Sequence, residues 1–211
     1  MSDVVIVDYE MGNLRSVQKA LEKVGATAVI TQDAEAVRRA GRLVVPGVGA
    51  FGDAMAALRR RGLDEAVKEF LAAGRPFLGI CLGLQLLFDE GLEEGRHAGL
   101  GVVRGRCVPL PADLRGPDGR ALKVPHMGWN DLEVVRRSPL LAGLPDDFQV
   151  YFVHGYVVEP EDAGLVSTRT EYGVKFTSSI WRENILAVQF HPEKSQNVGL
   201  RMLENFVKLR A

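Results

Sequence analysis

The segment of this chain best suited to covalent chemistry is Gly79-Ile80-Cys81-Leu82-Gly83. It follows an apolar run and opens an amphipathic stretch, so Cys81 falls on a strand-to-helix turn, the setting of a nucleophile elbow. Such a turn projects the thiol clear of the backbone. Glycines two residues to either side leave room where any Cβ would collide with neighbouring strands or with the helix. The helix N-terminus favours a thiolate, and the amide of Leu82 points to where an oxyanion forms on a reacting carbonyl. Taken alone, Cys81 equally fits a small buried hydrophobe at a tight turn. Cys107, within Arg106-Cys107-Val108, has neither glycine pair nor turn and reads as structural.

A thiol nucleophile needs a base, and the base needs an orienting acceptor. Gln189-Phe190-His191-Pro192-Glu193-Lys194-Ser195 follows the apolar run Ile185-Leu186-Ala187-Val188 and offers both. His191 falls at a strand end, Pro192 stops the ladder, and Glu193 is placed to accept from one imidazole nitrogen. Each is readable singly as a surface residue. In the order Cys…His…Glu behind an elbow, the triad is the better joint explanation. A third segment, Val44-Val45-Pro46-Gly47-Val48-Gly49-Ala50-Phe51-Gly52, is a glycine-rich strand-to-helix loop with neither Gly-Lys-Ser/Thr nor G-x-G-x-x-G. It is either an ordinary turn or a loop whose amide completes an oxyanion hole with Leu82. The histidines are isolated and the cysteines far apart, so no metal site is expected.

These groups must be held by elements the patterning supplies. Strand-like runs at 4–7, 28–30, 43–45 and 76–80 alternate with helical periods at 11–24, 50–60, 63–73 and 82–90. That alternation predicts right-handed βαβ units and an open parallel sheet. After about residue 100 the signals become short strand candidates at 101–103, 134–135, 150–153, 165–166 and 175–177, with a helix at 198–209. Antiparallel strands packed onto the parallel sheet and a closing helix are expected, with the Pro-, Gly- and Asp-rich stretch 109–119 as a loop. The 211 residues are expected to form one domain over 1–211, burying roughly 70% of the unfolded surface. The 26 Lys and Arg against 27 Asp and Glu leave a net charge of −1, which argues against nucleic acid or an anionic membrane as partner. No apolar run approaches the roughly 20 residues of a membrane span. The start at Met1 shows no basic region of a signal peptide, and two cysteines are too few for a disulfide framework. A soluble cytoplasmic protein is expected.

In this order and spacing the three segments resemble the class I glutamine amidotransferases. The runs Pro125-His126-Met127-Gly128-Trp129-Asn130 and Tyr151-Phe152-Val153-His154-Gly155-Tyr156 further resemble the glutaminase subunits of imidazole glycerol phosphate synthase. So do Val7-Asp8-Tyr9, Gly12-Asn13-Leu14 and Ser16, and the likeness spans essentially the whole chain. The resemblance implies an α/β fold, an open mostly parallel sheet with flanking helices, additional antiparallel strands and a flavodoxin-like core. It implies that Cys81, with His191 and Glu193, attacks the side-chain amide of glutamine, releasing ammonia and then glutamate. Backbone amides of Val48 and Leu82 would form the oxyanion hole. Gly49, Gln85 and Glu93 would hold the substrate, with the backbone of 154–156 as a further contact. No cofactor is implied. The implied partner is a cyclase subunit, a (β/α)8 barrel, in a heterodimer that turns the ammonia into imidazole glycerol phosphate and aminoimidazole carboxamide ribotide. Asn13, Met127, Trp129 and Lys194 would lie at that contact or along the ammonia passage, and His126 and His154 would be structural or interfacial. The glutaminase of pyridoxal phosphate synthase shares elbow and triad but not the run through Trp129. A silent partner-organising subunit would be expected to have lost Cys81, His191 or Glu193.

Overall fold

A computed structural model describes residues 2–209; Met1, where the stretch read for a signal peptide begins, lies outside the described residues. The first part of the chain runs β1 (Ser2–Val7), α1 (Leu14–Lys23), β2 (Ala26–Thr31), α2 (Ala34–Arg39), β3 (Arg42–Gly47), α3 (Phe51–Arg60), α4 (Leu63–Ala72), β4 (Phe77–Cys81) and the single turn α5 (Leu82–Gln85). The remainder runs β5 (Phe88–Gly91), β6 (His97–Ala98), β7 (Val103–Pro109), β8 (His126–Asp131), β9 (Glu133–Val134), β10 (Gln149–His154), β11 (Tyr156–Pro160), β12 (Val166–Glu171), β13 (Lys175–Arg182), β14 (Ile185–Val188) and the closing helix α6 (Gln196–Lys208).

Several elements depart from the patterning. Helix α1 begins at Leu14 rather than Met11, because Glu10 (φ 72°) and Gly12 (φ 125°) are left-handed and Asn13 caps the helix. Helix α2 is too short to show a period; Asp33 starts it by accepting from the amide of Glu35 at 2.9 Å. The helix expected over 82–90 stops after one turn and gives way to β5. Leu84, Leu86, Leu87 and Phe88 are all buried, so the segment has no polar face to mark a period. Strand β8 escaped because only His126 of its six residues is buried. The predicted loop beyond Pro109 is irregular apart from one bridge between Arg115 and Ala121.

The sheet places β2, β1, β3, β4 and β14 side by side, all parallel, and continues through β13, β11, β7, β5 and β6 with mostly antiparallel pairing. Strand β12 pairs with β13, while β8 and β10 form a separate antiparallel ribbon. The central parallel strands β3, β4 and β14 read as nearly uninterrupted apolar runs because both faces are covered, while the edge strand β2 alternates buried and exposed residues. On β1, Val4 and Ile6 enter the layer under α1 and α6, and Val7 enters the layer under α2, α3 and α4. Each fully buried Leu, Ile or Phe contributes about 2 kcal/mol to holding these layers together. Among the described residues no helix is long and apolar enough to cross a membrane.

Register decides what this sheet can do. Gly47 of β3 lies opposite Cys81 of β4, and Val188 of β14 lies opposite Ile80. Three adjacent strands therefore end at one level, and the loops beyond Gly47, Cys81 and Val188 emerge side by side. In an open α/β sheet the carboxyl edge is where ligand clefts form.

Candidate active site

Cys81 has φ 54° and ψ −109°, a left-handed conformation that costs a non-glycine residue about 1–3 kcal/mol. Packing on both sides enforces it. A Cβ on Gly83 would lie 1.8 Å from the carbonyl oxygen of Val45, and one on Gly79 would lie 2.7 Å from that of Gly83. The glycine pair thus lets the first turn of α5 sit directly on β3 and β4. The thiol points toward the carbonyl of Val153 at 3.8 Å and receives the side-chain N–H of Gln189 at 3.6 Å.

The loop after β14 brings in the imidazole. The amide of His191 donates to the carbonyl of Tyr151 at 2.9 Å, anchoring the loop to β10. His191 Nδ1 lies 2.7 Å from Glu193 Oε1, and both side chains are almost completely buried. This bond leaves Nε2 facing the sulfur with no directed hydrogen bond of its own. Burial alone would lower the affinity of His191 for a proton. The interaction of the ring with the nearby Cys81, then the Glu193 hydrogen bond and the charges of both residues, outweigh it and push the ring up to about 9.

The loop after β3 forms the facing wall. Gly47 packs on Tyr9, whose hydroxyl donates to the carbonyl of Pro46 at 2.8 Å; a Cβ on Gly47 would lie 1.9 Å from that hydroxyl. Gly49 (φ 101°) rests over the methyl of Met11, 2.5 Å from where its Cβ would be. Tyr9 is fully buried, and burial with the nearby Cys81 holds its phenol far above the ordinary range. Tyr9 and Met11 are supports that spacing did not reveal, because they come from the chain end of a different strand.

Between these walls lies a cleft of about 260 Å³ bordered by Val48, Gly49, Cys81, Leu82, Gln85 and Glu93 on one side. Pro125 and the 153–156 segment border the other. The proposed oxyanion and substrate positions thus share one cleft with the thiol. Two of them already hold protein partners. Gln85 Nε2 donates to the carbonyl of Tyr156 at 3.3 Å and to Gln189 Oε1 at 3.1 Å. Glu93 Oε2 accepts the amide of Phe51 at 2.6 Å, capping α3, whose N-cap residue Ala50 has no side chain to do so.

The positions expected at a partner contact divide. Met127 and Trp129 on β8 are exposed by 62% and 43%, and Val48 beside the cleft by 42%. Trp129 meets Tyr151 edge-on, and Lys194 lies over the same tyrosine, so these three residues form one surface. Asn13 is engaged otherwise, its side chain accepting the amide of Ser16 at 3.4 Å as the cap of α1. His126 and His154 are buried and 3.1 Å apart, with His126 stacked on Tyr172. Cys107 is buried, and burial with Glu93 nearby pushes its thiol up. Among the described residues no cluster could hold a metal ion.

These histidines set the pH dependence of stability. Burial holds His126 down to about 4, and burial followed by the charge of His126 holds His154 down to about 3. A depressed histidine contributes stability above its unfolded value, and that stability is lost as pH falls. The raised His191 contributes fully below about 6.5 and loses its contribution as pH rises through about 9. Thermal melts across pH are expected to peak near 6.5 and fall on both sides. Glu193→Gln is expected to flatten the alkaline limb alone; an alkaline limb identical to that of the unaltered chain would contradict the assignment.

A family model described as glutamine amidotransferase class-I matches residues 5–209. The imidazole glycerol phosphate synthase subunit HisH of Syntrophotalea carbinolica is 54% identical over 203 residues, covering 96% of this chain and 98% of its own. The corresponding subunit of Geobacter sulfurreducens is 49% identical over 210 residues, covering 100% of both chains. Among solved structures, a glutamine amidotransferase superposes with a TM-score of 0.72 at 24% identity, covering 97% of this chain and 99% of that one. PurLQS from Thermotoga maritima superposes with 0.73 at 18%, covering 97% and 96%.

Proposed function

The chain belongs to the class I glutamine amidotransferase family, and from that premise we propose that it is the glutaminase subunit of imidazole glycerol phosphate synthase. Full-length identity near one half to HisH subunits supports that assignment over the pyridoxal phosphate synthase glutaminase. In this reading His191 Nε2 holds the proton of Cys81 Sγ ahead of the attack, and the sulfur adds as a thiolate to the side-chain carbonyl carbon of glutamine. The carbonyl oxygen becomes an oxyanion held by the amides of Leu82 and Val48. The imidazolium returns its proton to the amide nitrogen, which leaves as ammonia, and a glutamyl thioester remains. Water, deprotonated by the same nitrogen, then hydrolyses the thioester to glutamate and restores the thiol.

The observation that carries this reading is the pairing of a strained Cys81 at the foot of a cleft with a buried imidazole. The imidazole's far nitrogen is tied to Glu193 and its near nitrogen is uncommitted. Gln85, Glu93 and Gly49 would hold the substrate. Glu93, a carboxylate at the rim, is suited to the α-ammonium of glutamine. Ammonia would pass to a cyclase barrel docked over Met127, Trp129 and Lys194, with Asn13 at the edge of the contact. Trp129 offers an apolar wall with one N–H donor there. Two buried, unpaired cysteines fit a reducing cytoplasm.

The test is glutamate release from glutamine by this chain alone and with a cyclase barrel carrying its nucleotide ligand. Low activity alone, rising by orders of magnitude in the liganded complex, is the expected result. Full activity without the barrel, unchanged by adding it, would leave the thiol chemistry standing and refute the partner-dependent subunit.

A further inference from the structure

Gln189 is fully buried and has no place in the proton transfers above, yet its amide nitrogen lies 3.6 Å from Cys81 Sγ. An N–H donor at this distance from sulfur is a hydrogen bond to the nucleophile, provided the amide is turned that way round. A chain of contacts settles the orientation. The carbonyl of Tyr156 can only accept, so the Gln85 group facing it at 3.3 Å is the amino group. That same amino group lies 3.1 Å from one end of the Gln189 amide, which must therefore be the oxygen. The other end, facing the sulfur, is the NH₂. The backbone just beyond β14 fixes the position of the side chain, since the amide of Gln189 donates to the carbonyl of Ser178 on β13 at 2.8 Å.

We propose that Gln189 is a positioning residue for the nucleophile, holding the Cys81 sulfur by an N–H bond whose direction is imposed by the Tyr156 carbonyl through Gln85. The assignment rests on Cys81 being the nucleophile. In the thiol form the sulfur has a donor bond to make, and the Val153 carbonyl lies 3.8 Å away to take it. Once the proton has gone to His191 that carbonyl offers nothing. The Gln189 N–H then becomes a charge-assisted bond, which strengthens as negative charge develops on sulfur. Gln85 accordingly has two tasks, bordering the cleft and keeping the Gln189 amide from turning over.

The test is the pH profile of thiolate formation on the 211-residue chain, read by ultraviolet thiolate absorbance and by the rate of iodoacetamide alkylation at Cys81. Cys107 does not interfere, being buried with its thiol pushed up. The titratable groups around the sulfur, His191, Tyr9 and Cys107, and the cleft-lining His154 and Glu93, are the same in every variant compared. Gln189→Met keeps the length of the side chain and removes the donor. It is expected to move the thiolate midpoint up by about one pH unit and slow alkylation at neutral pH about tenfold. Gln189→Glu keeps the shape and places a carboxylate against the sulfur, so its midpoint should lie higher still. It also supplies the reading if the methionine variant does not fold. Midpoints unmoved in folded variants would overturn the proposal. A Cys81→Ala chain that retained glutaminase activity in the complex would instead sink the underlying function; with Cys81 essential and the midpoints unmoved, only the role of Gln189 falls.

Discussion

Cys81→Ala is expected to lower glutamine-dependent synthesis in the complex by about 10⁴-fold or more, while synthesis from free ammonium salts continues at the level of the unaltered enzyme. The size of the loss follows from the chemistry: no other group in the cleft can form the thioester, and the carboxylate and imidazole that remain have nothing to activate. The small change in volume explains why the ammonia-driven reaction survives. Cys81 is buried at a strand end, and removing its sulfur leaves β4 and its pairing with β3 and β14 untouched. Steady-state assays with glutamine and with ammonium, on the same preparation, separate the two. Glutamine-driven turnover that persisted in the alanine variant would show that the thiol is not the nucleophile.

Gly83→Ala is expected to destabilise the chain by about 3 kcal/mol and lower its melting temperature by about 9 °C. Two effects oppose each other here. Alanine is favoured over glycine by about 1 kcal/mol inside a helix, and Gly83 lies in α5. Against this, the added methyl would sit 1.8 Å from the Val45 carbonyl oxygen. That oxygen belongs to the backbone of β3, so relief requires shifting a central strand or lifting α5 away from it. The clash wins because one turn of helix has little propensity to gain and a buried strand has little freedom to give. Lifting α5 would also displace Cys81 and the amide of Leu82, so glutaminase activity should fall with stability. A melting temperature equal to that of the unaltered chain would show that the strands part more easily than this packing implies.

Much of this arrangement is legible in the sequence. The central parallel strands are marked by apolar runs because both of their faces are covered. Cys81, His191 and Glu193 stood out because reactive residue types fell at strand ends flanked by glycine or proline. The failures have equally local causes. Leu84 to Phe88 is buried all round, so nothing in its pattern could show that the helix ends at Gln85 and a strand begins at Phe88. Strand β8 carries only His126 buried among exposed and half-exposed residues, so its own pattern does not mark it, although it pairs with the half-buried β10. The contact of Gln189 with Cys81, and of Tyr9 with the loop at Pro46, depends on which strand lies beside which. That is a property of the sheet order and register, and no spacing within one segment encodes it.

The level at which three strands end also fixes when the chain becomes reactive. Cys81 leaves the ribosome with β4, but His191 and Gln189, its proposed base and amide donor, arrive half a chain later, just beyond a strand that must slot between β4 and β13 in the middle of the sheet. Until β14 is synthesised and inserted, the cysteine has neither imidazole nor amide beside it. On the proposed chemistry, nascent chains and fragments cut before that segment would be chemically silent toward glutamine, and ammonia would not be released before the fold is closed.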